Sequence, residues 1–578
     1  MPETSNTNPA EIASQRALDE VFRCIRERKS FRLEAGAGAG KTYSLVKALQ
    51  LIINEYGDQL IRRHQKVACI TYTNVATEEI TKRTDGHPAV QASTIHSFCW
   101  ELCKNFQATL RSEVMKISQL AEKINDVGGI GAQRISYDLG YRRVTNLEIF
   151  LHHDDVLTLM MALMENSKFR RILITKFPVL FIDEYQDTDE NFAKSIIRNF
   201  VEPGNGPLVG LFGDSWQKIY RTGAGLIEHT NLQLIRKEAN FRSTSTIVDI
   251  LNRIRTDLPQ QTSDSAAVGS AKVYHSNGFT GQRRTGGHWG GDLPADDAHQ
   301  YLIALRSKLA NAGWDFSPQN TKILMLTHNV LAAEQYYSQI LGVFEYNDSL
   351  LKKEDPHIAF LADTVEPACA AFTAGKYGEM FSVIGRKLGR LSSFGDKRDW
   401  TRNMQRLVEL RTTGTIGDVI NLLKETRKPM LPDTVFKTEK KLAEAKREEI
   451  DGSRTLRQIE LLRTIPYSEL IALADFINDH TPFSTKHGVK GAEFENVLVV
   501  LGRGWNQYNW SQFLEWFPNR YPASKEESYV RNRNLFYVAS SRAKRNLALL
   551  FTQELSQVAL NTLDSWFGAT NVSVFNPE

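Results

Sequence analysis

One run of eight residues constrains this chain more than any other. Ala35-Gly36-Ala37-Gly38-Ala39-Gly40-Lys41-Thr42 follows the apolar stretch Phe31–Glu34 and opens a helical pattern near Lys41. A glycine-rich turn between a strand and a helix is the setting a phosphate-binding loop requires. Small residues let backbone N–H groups converge on phosphate oxygens, and the helix start adds its dipole. Lys41 is placed to reach the β- and γ-phosphates of ATP, and Thr42 to offer its hydroxyl to Mg²⁺. The competing reading is a plain strand–helix turn, against which the Lys-Thr pair weighs. The strict pattern has Gly where this chain has Ala35.

A second run answers the first. Val179-Leu180-Phe181-Ile182-Asp183-Glu184 is an apolar strand ending in two carboxylates. Asp183 is expected to hold Mg²⁺ opposite Thr42, and Glu184 to orient the water that attacks the γ-phosphate. Alone, such a pair could be a loop or a cap. Further short apolar runs at Val67–Thr71, Leu208–Phe212, Ile323–Leu326, Val497–Leu501 and Leu547–Phe551 alternate with helical patterns. That habit predicts an α/β fold with two parallel sheets. Residues 100–172 and 346–477 read as mainly helical, and 262–294 as a Gly/Ser/Thr-rich loop.

Composition excludes little. The 71 basic and 67 acidic residues leave a net charge of +4, too small to argue for nucleic acid by itself. Five scattered cysteines argue against a disulfide framework and for reduced thiols in the cytoplasm. No apolar run is long enough to span a membrane, and the start lacks a signal-peptide layout. The charge-dense run Lys437–Asp451 reads as a solvated helix face. So does the basic stretch Arg386, Lys387, Arg390, Lys397, Arg398, Arg402, Arg406 and Arg411, with duplex contact as the alternative.

The wider run Asp183-Glu184-Tyr185-Gln186-Asp187-Thr188 resembles the signature of the UvrD/Rep/PcrA branch of helicase superfamily 1. Other segments resemble that family's motifs in order: Thr71–Asn74, Thr94–Phe98, Gly213–Tyr220, Asn240–Ser243, His487–Phe494 and Tyr537–Ala543. The resemblance implies two RecA-like P-loop domains, at 1–99 with 173–258 and at 259–345 with 478–578. Residues 100–172 and 346–477 would be their insertions. It implies that Gln217 senses the γ-phosphate, that Arg242 and Arg542 are arginine fingers, and that ATP lies in a cleft whose closure is the power stroke. Gly491 and Glu493 would meet the ribose, and Gln15 the adenine. Tyr43, after the loop, stands where UvrD has Arg. Tyr72, Thr73, Asn74, His96, Tyr220 and His487 would contact DNA by stacking and phosphate bonding.

Two further departures stand out. Thr222 and Gly223 replace a Trp-Arg pair whose Trp stacks on a base, a role open to Trp216 unless it is buried. Arg531, Asn532 and Arg533 replace glutamates before Tyr537. The implied function is an ATP-driven 3′→5′ helicase or translocase on single-stranded DNA and its junctions with duplex. A DNA-stimulated ATPase that regulates a nuclease is the alternative. A small-substrate phosphotransferase explains the phosphate loop but neither arginine motif. Only 36 residues follow Arg542, too few for a nuclease domain, so cutting is expected from a partner. Compact relatives of this kind serve antiphage systems such as Gabija, beside an OLD-family nuclease.

Overall fold

The computed structural model describes residues 8–138, 142–218, 222–263, 268–325, 334–344, 350, 353, 355–385, 393–478, 480–484, 492–503 and 508–577. Tyr220, His487 and Gly491, with Arg386, Lys387 and Arg390 of the basic stretch, lie outside the described residues. The chain forms two compact units. The first takes Met1–Lys272, Ser511–Leu547 and Ser556–Val572; the second takes Val273–Trp510, Ala548–Leu555 and Ser573–Glu578.

In the first unit, α1 (Pro9–Arg26) starts where the Asn8 side chain accepts from the Ala10 N–H at 3.0 Å. Pro9 sits at the first helical position, where no N–H is needed. There follow β1 (Phe31–Ala35), α2 (Lys41–Arg62), β2 (Val67–Thr71), α3 (Asn74–Arg83), β3 (Val90–Thr94) and α4 (Ile95–Cys103). After more helices comes a small sheet of β4 (Arg134–Ser136), β5 (Arg143–Val144) and β6 (Glu148–Phe150), in the order β4-β6-β5. The main sheet is completed by β7 (Val179–Asp183), β8 (Leu208–Gly213) and β9 (Gln233–Lys237). Its order is β3-β2-β7-β8-β1-β9, and every neighbouring pair runs parallel.

Strands β1, β2, β7 and β8 are buried throughout, as expected where helices cover both faces of a parallel sheet. Alternate side chains serve opposite faces. Phe31, Leu33, Phe181 and Phe212 pack with α1 and α2, whereas Leu180, Ile182, Val209 and Leu211 pack with α4 and the helices after it. Because β8 lies between β1 and β7, the turns leaving these three strands open side by side at the carboxyl edge.

The short pair β10 (Ala239–Asn240) and β11 (Gln261–Thr262) is also parallel. A second sheet holds β12 (Ser270–His275), β13 (Thr321–Met325), β14 (Phe483–Ser484), β15 (Phe494–Leu501), β16 (Ala543–Phe551) and β17 (Val572–Val574). Its order is β14-β13-β15-β16-β12-β17, with β13 parallel to β14 and β15. The expected α/β architecture with helical stretches is therefore present, one sheet parallel throughout and the second parallel at β13–β14 and β13–β15.

Three details differ from the sequence reading. The region 100–172 contains β4 to β6, strands of two or three residues that are too short to show a period. The loop 262–294 contains β12, whose Ala271, Val273 and Tyr274 are buried and whose Lys272 is exposed. The run Lys437–Asp451 is not wholly solvated, because Glu439 is 1 % exposed. Its carboxylate meets Arg463 at 2.5 Å, Lys424 at 2.8 Å and His357 at 3.2 Å, joining helices Asp433–Glu444, Arg454–Thr464, Ile416–Thr426 and Pro356–Phe360. The described part of the basic stretch is also partly neutralised: Arg411 pairs with Glu366, Arg402 with Asp399 and Arg406 with Glu425.

Burial works to raise the pKa of Glu439, but His357, Lys424 and Arg463 hold it below the usual glutamate value. Its stabilisation is therefore complete above the ordinary carboxylate range and is lost as pH falls through the depressed value. Glu439→Ala leaves cations facing an uncompensated hole, and we expect it to cost about 3–5 kcal/mol in denaturant unfolding near neutral pH. The gap from wild type should shrink on acidification.

Candidate nucleotide site and nucleic-acid motifs

The loop after β1 is braced from outside. Gly38 has φ +72, and a Cβ there would lie 2.7 Å from Arg242 Cβ and 2.8 Å from Asn240 Oδ1, so only glycine fits. The Ala37 carbonyl accepts from Asn240 Nδ2 and from Gln260 Nε2, each at 3.1 Å. The Ala37 N–H donates to the Tyr537 hydroxyl at 3.3 Å, and the Phe241 N–H to the Gly38 carbonyl at 2.9 Å. α2 then begins after Gly40, which has φ +73 and makes no side-chain cap, leaving the first amides of the helix to an anion. Ala35, Ala37 and Ala39 are buried, whereas Lys41 and Thr42 are partly exposed.

Opposite the loop, Asp183 is buried at the end of β7. Glu184 adopts a left-handed conformation, φ +49 and ψ +47, uncommon for a residue with a Cβ. Its carboxylate lies 3.3 Å from the Lys41 ammonium and accepts from Gln186 Nε2 at 2.5 Å. Gln186 Oε1 in turn accepts from the Asp214 N–H at 3.0 Å. Gln217, in the turn after β8, donates to Asp214 Oδ2 at 2.7 Å and accepts from Arg542 Nη2 at 3.1 Å. Arg242 Nη1 donates to the Ser541 carbonyl at 3.1 Å. The two arginines, distant in sequence, thus meet beside the loop, and all these groups belong to the first unit. Burial, and after it repulsion from Arg242, push Arg542 down to about 9. A nearby anion would offset both effects by favouring the charged form.

Beneath these groups runs a buried ion network that the sequence reading missed. Arg255, 1 % exposed, reaches Asp214 at 2.5 Å and Glu34 at 3.1 Å. Glu34 also accepts from the Tyr185 hydroxyl at 2.5 Å and from Ser215 N–H and Oγ at 2.8 and 2.6 Å. Burial alone would raise the Glu34 carboxyl, but Arg255 with Ser215 and Tyr185 holds it below its ordinary value. Nothing marks Arg255 in sequence, since it is a lone arginine after a helix.

Trp216 is committed to the same assembly. Its ring lies 4.0 Å from the Arg533 guanidinium and 5.2 Å from that of Arg255, with Tyr537 edge-on at 5.6 Å. Arg533 therefore has a structural use: it stacks on one face of Trp216, which stays partly exposed.

Among the nucleic-acid candidates, Tyr72, Thr73 and Asn74 form the exposed turn from β2 into α3. The Thr73 hydroxyl caps α3 by accepting from the Ala76 N–H at 3.2 Å. Tyr72 and His96 line one cleft of about 440 Å³ that also includes Asp154, Asp183 and Asp187. Burial and neighbouring His153, its ring 5.2 Å away, push His96 down to about 4, so it is neutral at physiological pH. Gln15 is exposed on α1 and donates to Asp19 at 2.7 Å. Tyr43 is exposed just after the loop, and Glu493 is exposed ahead of β15 in the second unit. Phe241, 43 % exposed beside Gly38, offers a ring face next to the loop; its place in Asn240–Ser243 was the available signal.

Removing Arg255 strands two buried carboxylates. We expect Arg255→Met to cost about 3–5 kcal/mol in denaturant unfolding. It should also lower ATP turnover, because Gln217 loses the anchored Asp214.

Two family models match the chain: an AAA domain over residues 19–223 and a UvrD-like helicase C-terminal domain over residues 320–554. The chain is 24% identical to the Gabija protein GajB of Bacillus cereus, over 94% of this chain and 96% of that protein. It is 23% identical to the ATP-dependent DNA helicase Rep of Salmonella typhimurium, over 90% and 88% respectively. Rep of Escherichia coli is similar at the same identity, over 90% of this chain and 89% of that protein. With a phosphate-binding loop on the first of two parallel α/β sheets, the chain has the UvrD/Rep-like superfamily 1 architecture and is a P-loop ATP hydrolase of the helicase and translocase class.

Proposed function

We propose that this chain hydrolyses ATP to move 3′→5′ along single-stranded DNA, in a Gabija-type antiphage assembly with a separate OLD-family nuclease. The observation that carries the motor reading is the continuous chain of contacts from Arg542 through Gln217 and Asp214 to Gln186 and Glu184. It joins the groups assigned to the γ-phosphate with those assigned to the attacking water. Similarity to GajB along nearly the whole chain supports the defence role.

In this reading Lys41 leaves Glu184 for the β- and γ-phosphates, and Glu184 then orients water. Arg242 and Arg542 take up the charge that develops on the transferred phosphoryl group. Thr42 and Asp183 fit Mg²⁺, being hard oxygen donors next in sequence to Lys41 and Glu184, whose side chains meet at 3.3 Å. Mg²⁺ takes few protein ligands and completes its shell with phosphate and water. When bound, Mg²⁺ supplies charge neutralisation at the phosphates. Gly491 and Glu493 remain the proposed ribose contacts and Gln15 the proposed adenine contact, with Phe241 and Tyr43 as neighbouring aromatic faces. Tyr72 and His96 suit bases better than phosphates, because the cleft they line also carries Asp154 and Asp187. Thr73, Asn74, Tyr220 and His487 complete the proposed strand contacts.

No helix among the described residues is long and apolar enough to cross a membrane, and all five cysteines are buried and unpaired. Both features suit the proposed cytoplasmic setting. One observation favours the second reading, a DNA-stimulated ATPase that regulates the nuclease without processive unwinding. Trp216 is held between Arg533 and Arg255, and Thr222 and Gly223 supply no ring in its stead. Unwinding of a 3′-tailed duplex separates the two readings.

Lys41→Ala should weaken ATP binding. Glu184→Gln should keep binding but lose turnover by about 10²-fold or more. Wild-type hydrolysis by Glu184→Gln would overturn the role given to Glu184. Single-stranded DNA of any sequence should stimulate the ATPase, with a steep loss of binding as salt rises. Tyr72→Ala should blunt that stimulation more than basal turnover. A rate indifferent to DNA, with and without the partner nuclease, would count against a nucleic-acid motor.

A further inference from the structure

Lys237 ends β9 at the carboxyl edge of the first sheet, directly across from Ala35, where the phosphate loop begins. The residue is 0% exposed. Its ammonium donates to the Gly40 carbonyl at 3.1 Å and to the Ser44 hydroxyl at 2.7 Å, so it sits against the first turn of α2. It also lies 5.6 Å from the centre of the Tyr43 ring, which carries Lys47 at 5.5 Å as well. Among the described residues no carboxylate pairs with it.

Three costs coincide at this position. Burial disfavours the charged form and pushes Lys237 down to about 8, so the group is still mostly charged at neutral pH. A cation beside a helix N-terminus opposes the helix dipole. Lys47, on the same ring, adds a like charge. Satisfying the Gly40 carbonyl and the Ser44 hydroxyl does not require any charge, since a neutral amide could donate equally well. A lysine here makes physical sense when an anion occupies the loop.

We infer that Lys237 is a nucleotide-binding cation of this site, held ready beside the first turn of α2 to offset the phosphate charge of ATP. The inference rests on reading residues 35–42 as the ATP loop and names a group outside that run. Lys237 would act by charge at short range through a dry part of the protein, where a fixed cation is felt far more strongly than in water. Its two hydrogen bonds go to the start of α2 and not to Glu184, so it should govern how tightly ATP binds rather than how fast it is cleaved. Tyr43, which stands beside it in place of an arginine, leaves the local cation to come from β9.

The test uses the full chain with Lys237→Gln, which keeps a donor and removes the charge, and Lys237→Met as a second neutral variant. Lys41→Ala runs in parallel. ATP with Mg²⁺ is titrated by calorimetry, melting is followed with and without nucleotide, and steady-state kinetics are measured on single-stranded DNA. We expect both Lys237 variants to melt without nucleotide at or above the wild-type temperature. ATP affinity should fall about tenfold, the melting shift produced by ATP should shrink, and KM should rise with kcat little changed. Wild-type affinity in Lys237→Gln while Lys41→Ala is impaired would overturn the inference alone. Wild-type affinity in all three variants would overturn it together with the reading of the loop. If both Lys237 variants are much less stable than wild type without nucleotide, the lysine is structural and the inference fails.

Discussion

The buried Arg255 guanidinium is the interaction on which the rest of the first unit depends. It is held between Glu34, on the strand that leads into the phosphate loop, and Asp214, on the turn that carries Gln217. Two ions of one sign and one of the other, all out of water, are stable only when each keeps its partners. That requirement fixes β1, β8 and helix Ser245–Ile254, after which Arg255 comes, in one arrangement. Tyr185 and Ser215 satisfy the remaining Glu34 oxygens, so the network also reaches the turn after β7. The chemistry proposed for Glu184 and Gln217 is positioned from beneath by groups that need not touch a nucleotide.

Above this network the balance of charge is reversed. Lys41, Lys237, Arg242 and Arg542 gather around the loop, with Asp183 and Glu184 as the nearby carboxylates. Lys41 leans on Glu184, Arg242 leans on the Ser541 carbonyl, and Arg542 and Lys237 are both pushed towards their neutral forms. Two of these four cations, Arg542 and Lys237, are buried, where their charge costs free energy. In the proposed function, a nucleotide polyphosphate would supply several negative charges at once.

One departure from the family pattern is tied to the packing around the loop. Arg533, where glutamates are usual, stacks on Trp216. Trp216 is thereby drawn into the assembly of Arg255 and Tyr537. The Trp216 ring braces the turn carrying Gln217. Tyr72, a proposed strand contact, is exposed on the described surface.

Much of the first unit was legible from residue order. Buried parallel strands are continuous apolar runs, so β1, β2, β7 and β8 could be read directly, and the turns after three of them carry motifs whose chemistry is local. β3 and β9 escaped because an edge strand is partly exposed and mixes polar residues with apolar ones. β4 to β6 are too short to show alternation. The amino-acid sequence by itself determined the α/β class, the phosphate loop with Lys41 and Thr42, and the carboxylates Asp183 and Glu184, because each depends on neighbours in the chain. Only the tertiary structure decided that Arg255, Gln260, Tyr537 and Lys237 support that loop, that Arg533 stacks on Trp216 and that Glu439 is a buried hub. Those roles come from contacts between residues far apart in sequence, where burial and charge pairing act and no local pattern records them.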